Sequence, residues 1–202
     1  PFKQDYTVEG FSTVTYKGNG ASQYIGGTGF QPDLTWIKSR SYATDPQLYD
    51  SVRGATKALE TNATGAESTQ STGLTAFDTD GFSLGSQARS NTSGQTYVAW
   101  NWDMGGSNAT NTTGDITSTV RANPTYGQSI VSWSGTGSGS SPTIGHGLNS
   151  APDCIIVKRR SSANGAWPFL HEFDTTKYLQ FQDVDAASTG ATVFDNTAPT
   201  SS

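Results

Sequence analysis

Gly29-Phe30-Gln31-Pro32-Asp33-Leu34-Thr35-Trp36-Ile37-Lys38-Ser39-Arg40-Ser41 reads as a turn closed by Pro-Asp, a short β-prone run and a cationic exit. The pattern returns as Gly147-Leu148-Asn149-Ser150-Ala151-Pro152-Asp153-Cys154-Ile155-Ile156-Val157-Lys158-Arg159-Arg160-Ser161. Asp33 to Asp153 and Lys38 to Lys158 are both steps of 120 positions (153 − 33 and 158 − 38). A chain of 202 residues thus holds one full unit and most of a second, and a self-similar period of this kind points to duplicated domains.

Working outward, Phe11 to Lys17 alternates, with Val14 and Tyr16 on one face and Thr13 and Thr15 on the other, as a half-buried strand requires. Gln23 to Ile25 is a short return strand. Gln47 to Gly54 is another, with a glycine stop, and Ala55 to Leu59 is expected to form a single helical turn. Leu74 to Phe77 and Phe82 to Leu84 flank an Asp78-Thr79-Asp80-Gly81 turn, a hairpin pattern. Thr96 to Asp103 closes the unit, with Val98, Trp100 and Trp102 facing one way and Tyr97, Ala99 and Asn101 the other. Ser129 to Gly137 repeats Ser12 to Gly20 at an offset of 117 (129 − 12), so the spacing shifts within loops and holds within strands.

The reading is all-β: tandem antiparallel β-sandwich units of jelly-roll type. Residues 1–104 form the first unit, 105–125 a linker rich in Gly, Ser, Thr and Asn, and 126–202 a second, incomplete unit. The linker has too few apolar residues to build a core of its own, with Ile116 and Val120 as its anchors. We expect the last strands of the second unit to lie beyond Ser202, in a longer polypeptide.

Composition narrows the partners. Net charge is −5, and no basic run exceeds Lys158-Arg159-Arg160. Phosphate-backbone binding wants a clustered positive face, so no nucleic acid is expected. The longest apolar run, Cys154 to Val157, falls far short of a span of about 20 residues, so no membrane insertion is expected. The single cysteine excludes an intrachain disulfide and a multi-cysteine metal site. Within its apolar run, Cys154 is expected to be a buried, inert thiol.

Val14-Thr15-Tyr16-Lys17-Gly18-Asn19-Gly20, Gly29 to Lys38, and Leu48-Tyr49-Asp50-Ser51-Val52-Arg53-Gly54-Ala55-Thr56-Lys57 resemble a repeat unit of tailed-bacteriophage virion proteins, especially tail-fibre and other structural proteins of marine phages. Phe82-Ser83-Leu84-Gly85, Thr96 to Trp100 and the connector Gly114 to Asn123 resemble further parts of it. The resemblance covers about nine-tenths of the chain. It implies a lectin-like jelly-roll sandwich on an extracellular phage particle and carries no catalytic residues. Its expected partners are other virion proteins, further copies of the chain in a homo-oligomer such as a trimer, and a host-surface glycan or protein. The alternative is a capsid-decoration or tail-assembly protein without a ligand. A tailspike depolymerase ranks lower, because the four glutamates share no paired-acid motif.

No cofactor and no metal site are expected. His146 lies in a glycine turn, where a solvent-exposed role is favoured. His171 stands at the position of Asp50, so a local hydrogen bond is favoured there over a metal or acid–base role. Asp78-Thr79-Asp80-Gly81 resembles the opening of a calcium loop but lacks a glutamate at loop spacing. The Asn-x-Ser/Thr triplets, such as Asn91-Thr92-Ser93, are expected from composition. For sugars, which stack on aromatic faces and take hydrogen bonds from polar neighbours, the candidates are Trp102 with Asn101 and Asp103 beside it. Asp50, Arg53 and His171 are added, although a buried ion pair explains the first two equally well. Trp36 and Trp100, in mid-strand, are expected to fill the core.

Overall fold

The computed structural model describes residues 9–137, 141–163, 165–171, 175–190 and 197–201. Its regular secondary structure is nearly all β, in antiparallel sheets. The largest sheet is ordered β1 (Phe11–Lys17), β9 (Thr96–Trp102), β3 (Leu34–Ser39), β4 (Gln47–Asp50), β5 (Lys57–Glu60) and β6 (Ser68–Thr69). A second sheet sets β8 (Gly81–Leu84) between β2 (Gln23–Gly26) and β7 (Leu74–Asp78). The core lies between these two layers: Ile37, Tyr49, Ala58, Tyr97 and Ala99 from the first meet Ile25, Leu74, Phe82 and Leu84 from the second. One helical turn, α1 (Ala88–Asn91), follows β8.

Alternation assigns the faces. In β9 the buried residues are Tyr97, Ala99 and Asn101, and in β3 they are Thr35, Ile37 and Ser39. Trp36 and Trp100 therefore point away from the core, contrary to the sequence reading, and cross each other on the outer face with ring centroids 5.6 Å apart. A large aromatic side chain does not choose its face; the period of two does, once Ile37 and Ala99 are committed inward. The second half of the chain covers this outer face, where Phe181 stacks on Trp36 at 6.0 Å.

Residues 55–59 do not form a helical turn. Ala55 lies in a turn, and Lys57–Glu60 is β5, paired with β4 through Leu48↔Leu59. The hairpin at 74–84 is formed as expected, with Asp78 opposite Gly81. Asp80 occupies its turn, where its carboxylate accepts the Gly29 amide at 2.6 Å.

The stretch read as a linker carries β10 (Ala109–Asn111) and β11 (Ser118–Asn123), which pair with β12 (Gln128–Ser132) as a three-stranded sheet. Ile116 and Val120 are buried, as anchors should be. A third group, β13 (Cys154–Ile156), β14 (Pro168–His171), β15 (Lys177–Gln180) and β16 (Ser188–Thr189), forms a four-stranded sheet. Cys154 is exposed there rather than buried, because it occupies the position of Leu34, on the face that alternation turns away from the core.

Candidate functional site

The residues singled out from sequence lie in different settings. Asp50 and Arg53 form an ion pair whose side chains are almost wholly buried. The Arg53 guanidinium also donates to the Leu48 carbonyl (3.0 Å), the Lys57 carbonyl (3.0 Å) and Glu67 (3.2 Å). With its donors taken up by the chain, this arginine holds β4 to β5. Asn101 is fully buried, with Nδ2 donating to the Ala99 carbonyl and Oδ1 accepting the Thr35 hydroxyl. Trp102 is half-buried, its ring 5.1 Å from that of Phe11. His171 falls at the end of β14, its backbone opposite Cys154; its side chain lies outside the described part of the structure.

Of this group, Asp103 lines a cavity. It shares a hollow of about 450 Å³ with Gln31, Asp33, Gly105, Gly106, Arg121 and Asn123. The Pro-Asp turn places Asp33 immediately before β3, and β11 brings Arg121 onto its carboxylate. The second Asp33 oxygen accepts the Met104 amide at 3.0 Å. Burial holds the Asp33 carboxyl above the ordinary aspartate range, outweighing the pull of Arg121 in the other direction. Arg121 Nε is buried and meets no acceptor among the described residues. The hollow therefore presents carboxylate acceptors and two side-chain amides beside the Arg121–Asp33 pair, a set suited to a ligand rich in hydroxyls.

Sequence reasoning missed Arg121, Gln31 and Asn123. Arg121 lies in the stretch read as a linker, and its one signal is that it is the single basic residue there. Asp33 belonged to the duplicated turn but was read as a turn residue.

The other features noted in the sequence are held inside the fold. His146 Nδ1 accepts the Leu148 amide at 3.1 Å, and Nε2 lies 3.0 Å from the Thr200 carbonyl. Asn91 is buried, donating from Nδ2 to the carbonyls of Ala21 and Gly85 and accepting the Asn19 amide. The duplicated lysines both clamp the loop that follows them. Lys38 Nζ donates to the Thr44 carbonyl at 3.0 Å, and Lys158 Nζ donates to Thr64 and Gly165 carbonyls. Among the described residues, no group of three or more His, Cys, Asp and Glu is placed to hold a metal, and no helix is long and apolar enough to cross a membrane.

Residues 7–202 match the family model described as Domain of unknown function (DUF7483). The chain belongs to the DUF7483 family. Neither a curated protein nor a solved structure matches it. The DUF7483 match runs across both copies of the duplicated turn, so one family model takes in the layered first half and the strands of 109–189 together.

Proposed function

We propose that this DUF7483 chain is a non-enzymatic segment of a bacteriophage virion protein. In this reading it is built of tandem jelly-roll sandwich units and binds a host-surface glycan in the hollow between Asp33, Asp103 and Arg121. The observation that carries the binding part is the hollow of about 450 Å³ lined by Asp33, Asp103, Gln31, Asn123 and Arg121, which gathers carboxylates, amides and a guanidinium in one place. Sugar hydroxyls both donate and accept, which suits Asp103 and Asn123 as well as the guanidinium. The virion assignment, with its extracellular location and its homo-oligomer, rests on the sequence resemblance.

The binding part is tested by saturation-transfer NMR of the chain with host polysaccharide fragments. Binding that is lost on Asn123→Ala, with the fold intact by circular dichroism, supports it. No transfer from any fragment, or transfer untouched by Asn123→Ala, overturns it. Locating the protein in the particle by cryo-electron microscopy tests the rest: a distal tail position fits adhesion, and a position in the icosahedral shell removes it.

A further inference from the structure

The hollow holds two carboxylates and one guanidinium, and they do not meet a ligand on equal terms. Asp33 is engaged within the fold: one oxygen takes the Arg121 guanidinium and the other the Met104 amide at 3.0 Å. Both side chains of that pair are largely buried, so water and salt screen it little and its two charges offset each other. Asp103 is placed differently. Its Oδ1 accepts the Gly105 amide at 2.8 Å, and among the described residues no lysine, arginine or histidine forms an ion pair with it. One cation against two carboxylates gives the lining a net charge of −1 at neutral pH (1 − 2), in a chain whose own net charge is −5.

The rest of the lining is uncharged. Asn123 Oδ1 accepts the Tyr126 amide at 3.3 Å, which orients the side chain and leaves its NH₂ group as a donor. Among the described residues no aromatic ring lines the hollow, so it offers hydrogen bonds to hydroxyl groups rather than a stacking face. An anionic sugar drawn to the guanidinium would stand beside the carboxylate that already holds it. Its charge would also face Asp103 with nothing to balance it. Two like charges about 6 Å apart, at an effective dielectric constant of about 40, repel by an amount worth roughly tenfold in affinity.

We propose that the hollow selects by charge: it takes an uncharged sugar residue and refuses one bearing a carboxylate, sulfate or phosphate, with Asp103 setting that specificity. The inference rests on the reading of the hollow as a glycan site and narrows that reading to one class of sugar. Two substitutions isolate its parts. Asp103→Asn removes the charge but keeps an oxygen to accept the Gly105 amide, so the turn after β9 is retained. Gly106 also lines the hollow, and a Cβ added there meets nothing within 4 Å. Gly106→Phe therefore adds bulk without displacing the backbone.

The probes are fragments of host polysaccharide separated by anion exchange into a neutral and an acidic pool, with part of the acidic pool reduced chemically so that its carboxylates become alcohols. Each pool is titrated against the whole chain by saturation-transfer NMR. We expect the neutral and reduced pools to bind the parent about tenfold or more tightly than the acidic pool. Asp103→Asn should narrow that gap by about tenfold and hold the neutral pool within about threefold of the parent. Gly106→Phe should lose every pool with its circular dichroism unchanged. Acidic fragments that bind the parent as tightly as their reduced form overturn the charge selection alone, and so does a gap that Asp103→Asn leaves untouched. Absence of binding from every pool, or binding that survives Gly106→Phe, removes the glycan reading of the hollow and this inference with it.

Discussion

Arg121, in the middle of β11, lays its guanidinium on the carboxylate of Asp33 at the entrance to β3. The pair ties the stretch read as a linker to the turn that defines the repeat, and both side chains are largely buried. Replacing Arg121 by alanine leaves a buried carboxylate without its counter-charge, at a cost of about 3–5 kcal/mol. The loss should be read by urea denaturation at pH 7. A carboxyl raised in the folded state stabilises fully below its unfolded value of about 3.9, and that contribution is lost as pH rises through the folded value. The penalty of Arg121→Ala should accordingly shrink towards pH 4, where Asp33 takes up a proton and no longer needs the arginine. A penalty independent of pH would contradict the pairing.

Arg53 offers a second, separate test. Its guanidinium serves Asp50, Glu67 and two carbonyls at once, a geometry that the single ammonium of lysine cannot reproduce. Arg53→Lys should lower the melting temperature by roughly 5–15 °C, following about 2–4 °C per kcal/mol for a chain of this size. A variant that melts as the parent does would return Arg53 to the list of ligand-binding candidates.

Tyr49 is fully buried, and burial pushes its hydroxyl up to about 12; burial raises Tyr16, beside it in the core, as well. A raised tyrosine contributes stability that is whole below the unfolded value of about 10 and is lost as pH climbs through the folded one. We expect the fold to hold to about pH 10 and to fail between there and pH 12. Tyr49→Phe should move that transition upward. Ultraviolet titration of tyrosinate alongside circular dichroism would show whether ionisation and unfolding coincide.

Gly81 closes the β7–β8 hairpin with φ +147°, and a Cβ there would sit 1.9 Å from the Ile25 carbonyl oxygen. No side-chain rearrangement relieves a clash with backbone. Gly81→Ala should detach β2 from β8 and cost upward of about 3 kcal/mol, with exchange at residues 23–26 speeding up first. Gly27→Ala is the control: its φ is also positive, but nothing lies within 4 Å of the added carbon.

What the sequence disclosed was local. The alternation of Phe11 to Lys17, the hairpin about Asp80 and the two faces of β9 all lie within one strand or one turn, where side-chain period and turn chemistry act directly. The errors arose where a distant segment decides. Trp36 and Trp100 were placed in the core because nothing near them in sequence reveals that Phe181 covers the opposite face. Ala55 to Leu59 looked helical by composition, yet Leu48 pairs with Leu59 and the Arg53 guanidinium takes the Lys57 carbonyl. The hollow was half visible: Asp103 was named from its neighbours, while Arg121 reaches Asp33 from 88 positions away, a distance that no local pattern encodes.

The seam where β1 begins and β9 ends has a mechanical consequence. Asp103 donates its amide to the Gly10 carbonyl at 2.9 Å, so the chain enters and leaves the six-stranded sheet at adjacent points. Tension applied between those two points would peel β1 from β9 one rung at a time, the loading geometry in which antiparallel strands resist least. Over that seam lie the Gln128 side chain, donating to the same Gly10 carbonyl at 3.3 Å, and the ring of Tyr126 against Gly10. The first load on a stretched chain therefore falls on this clasp, and releasing Tyr126 and Gln128 sets the force at which the sheet begins to unzip.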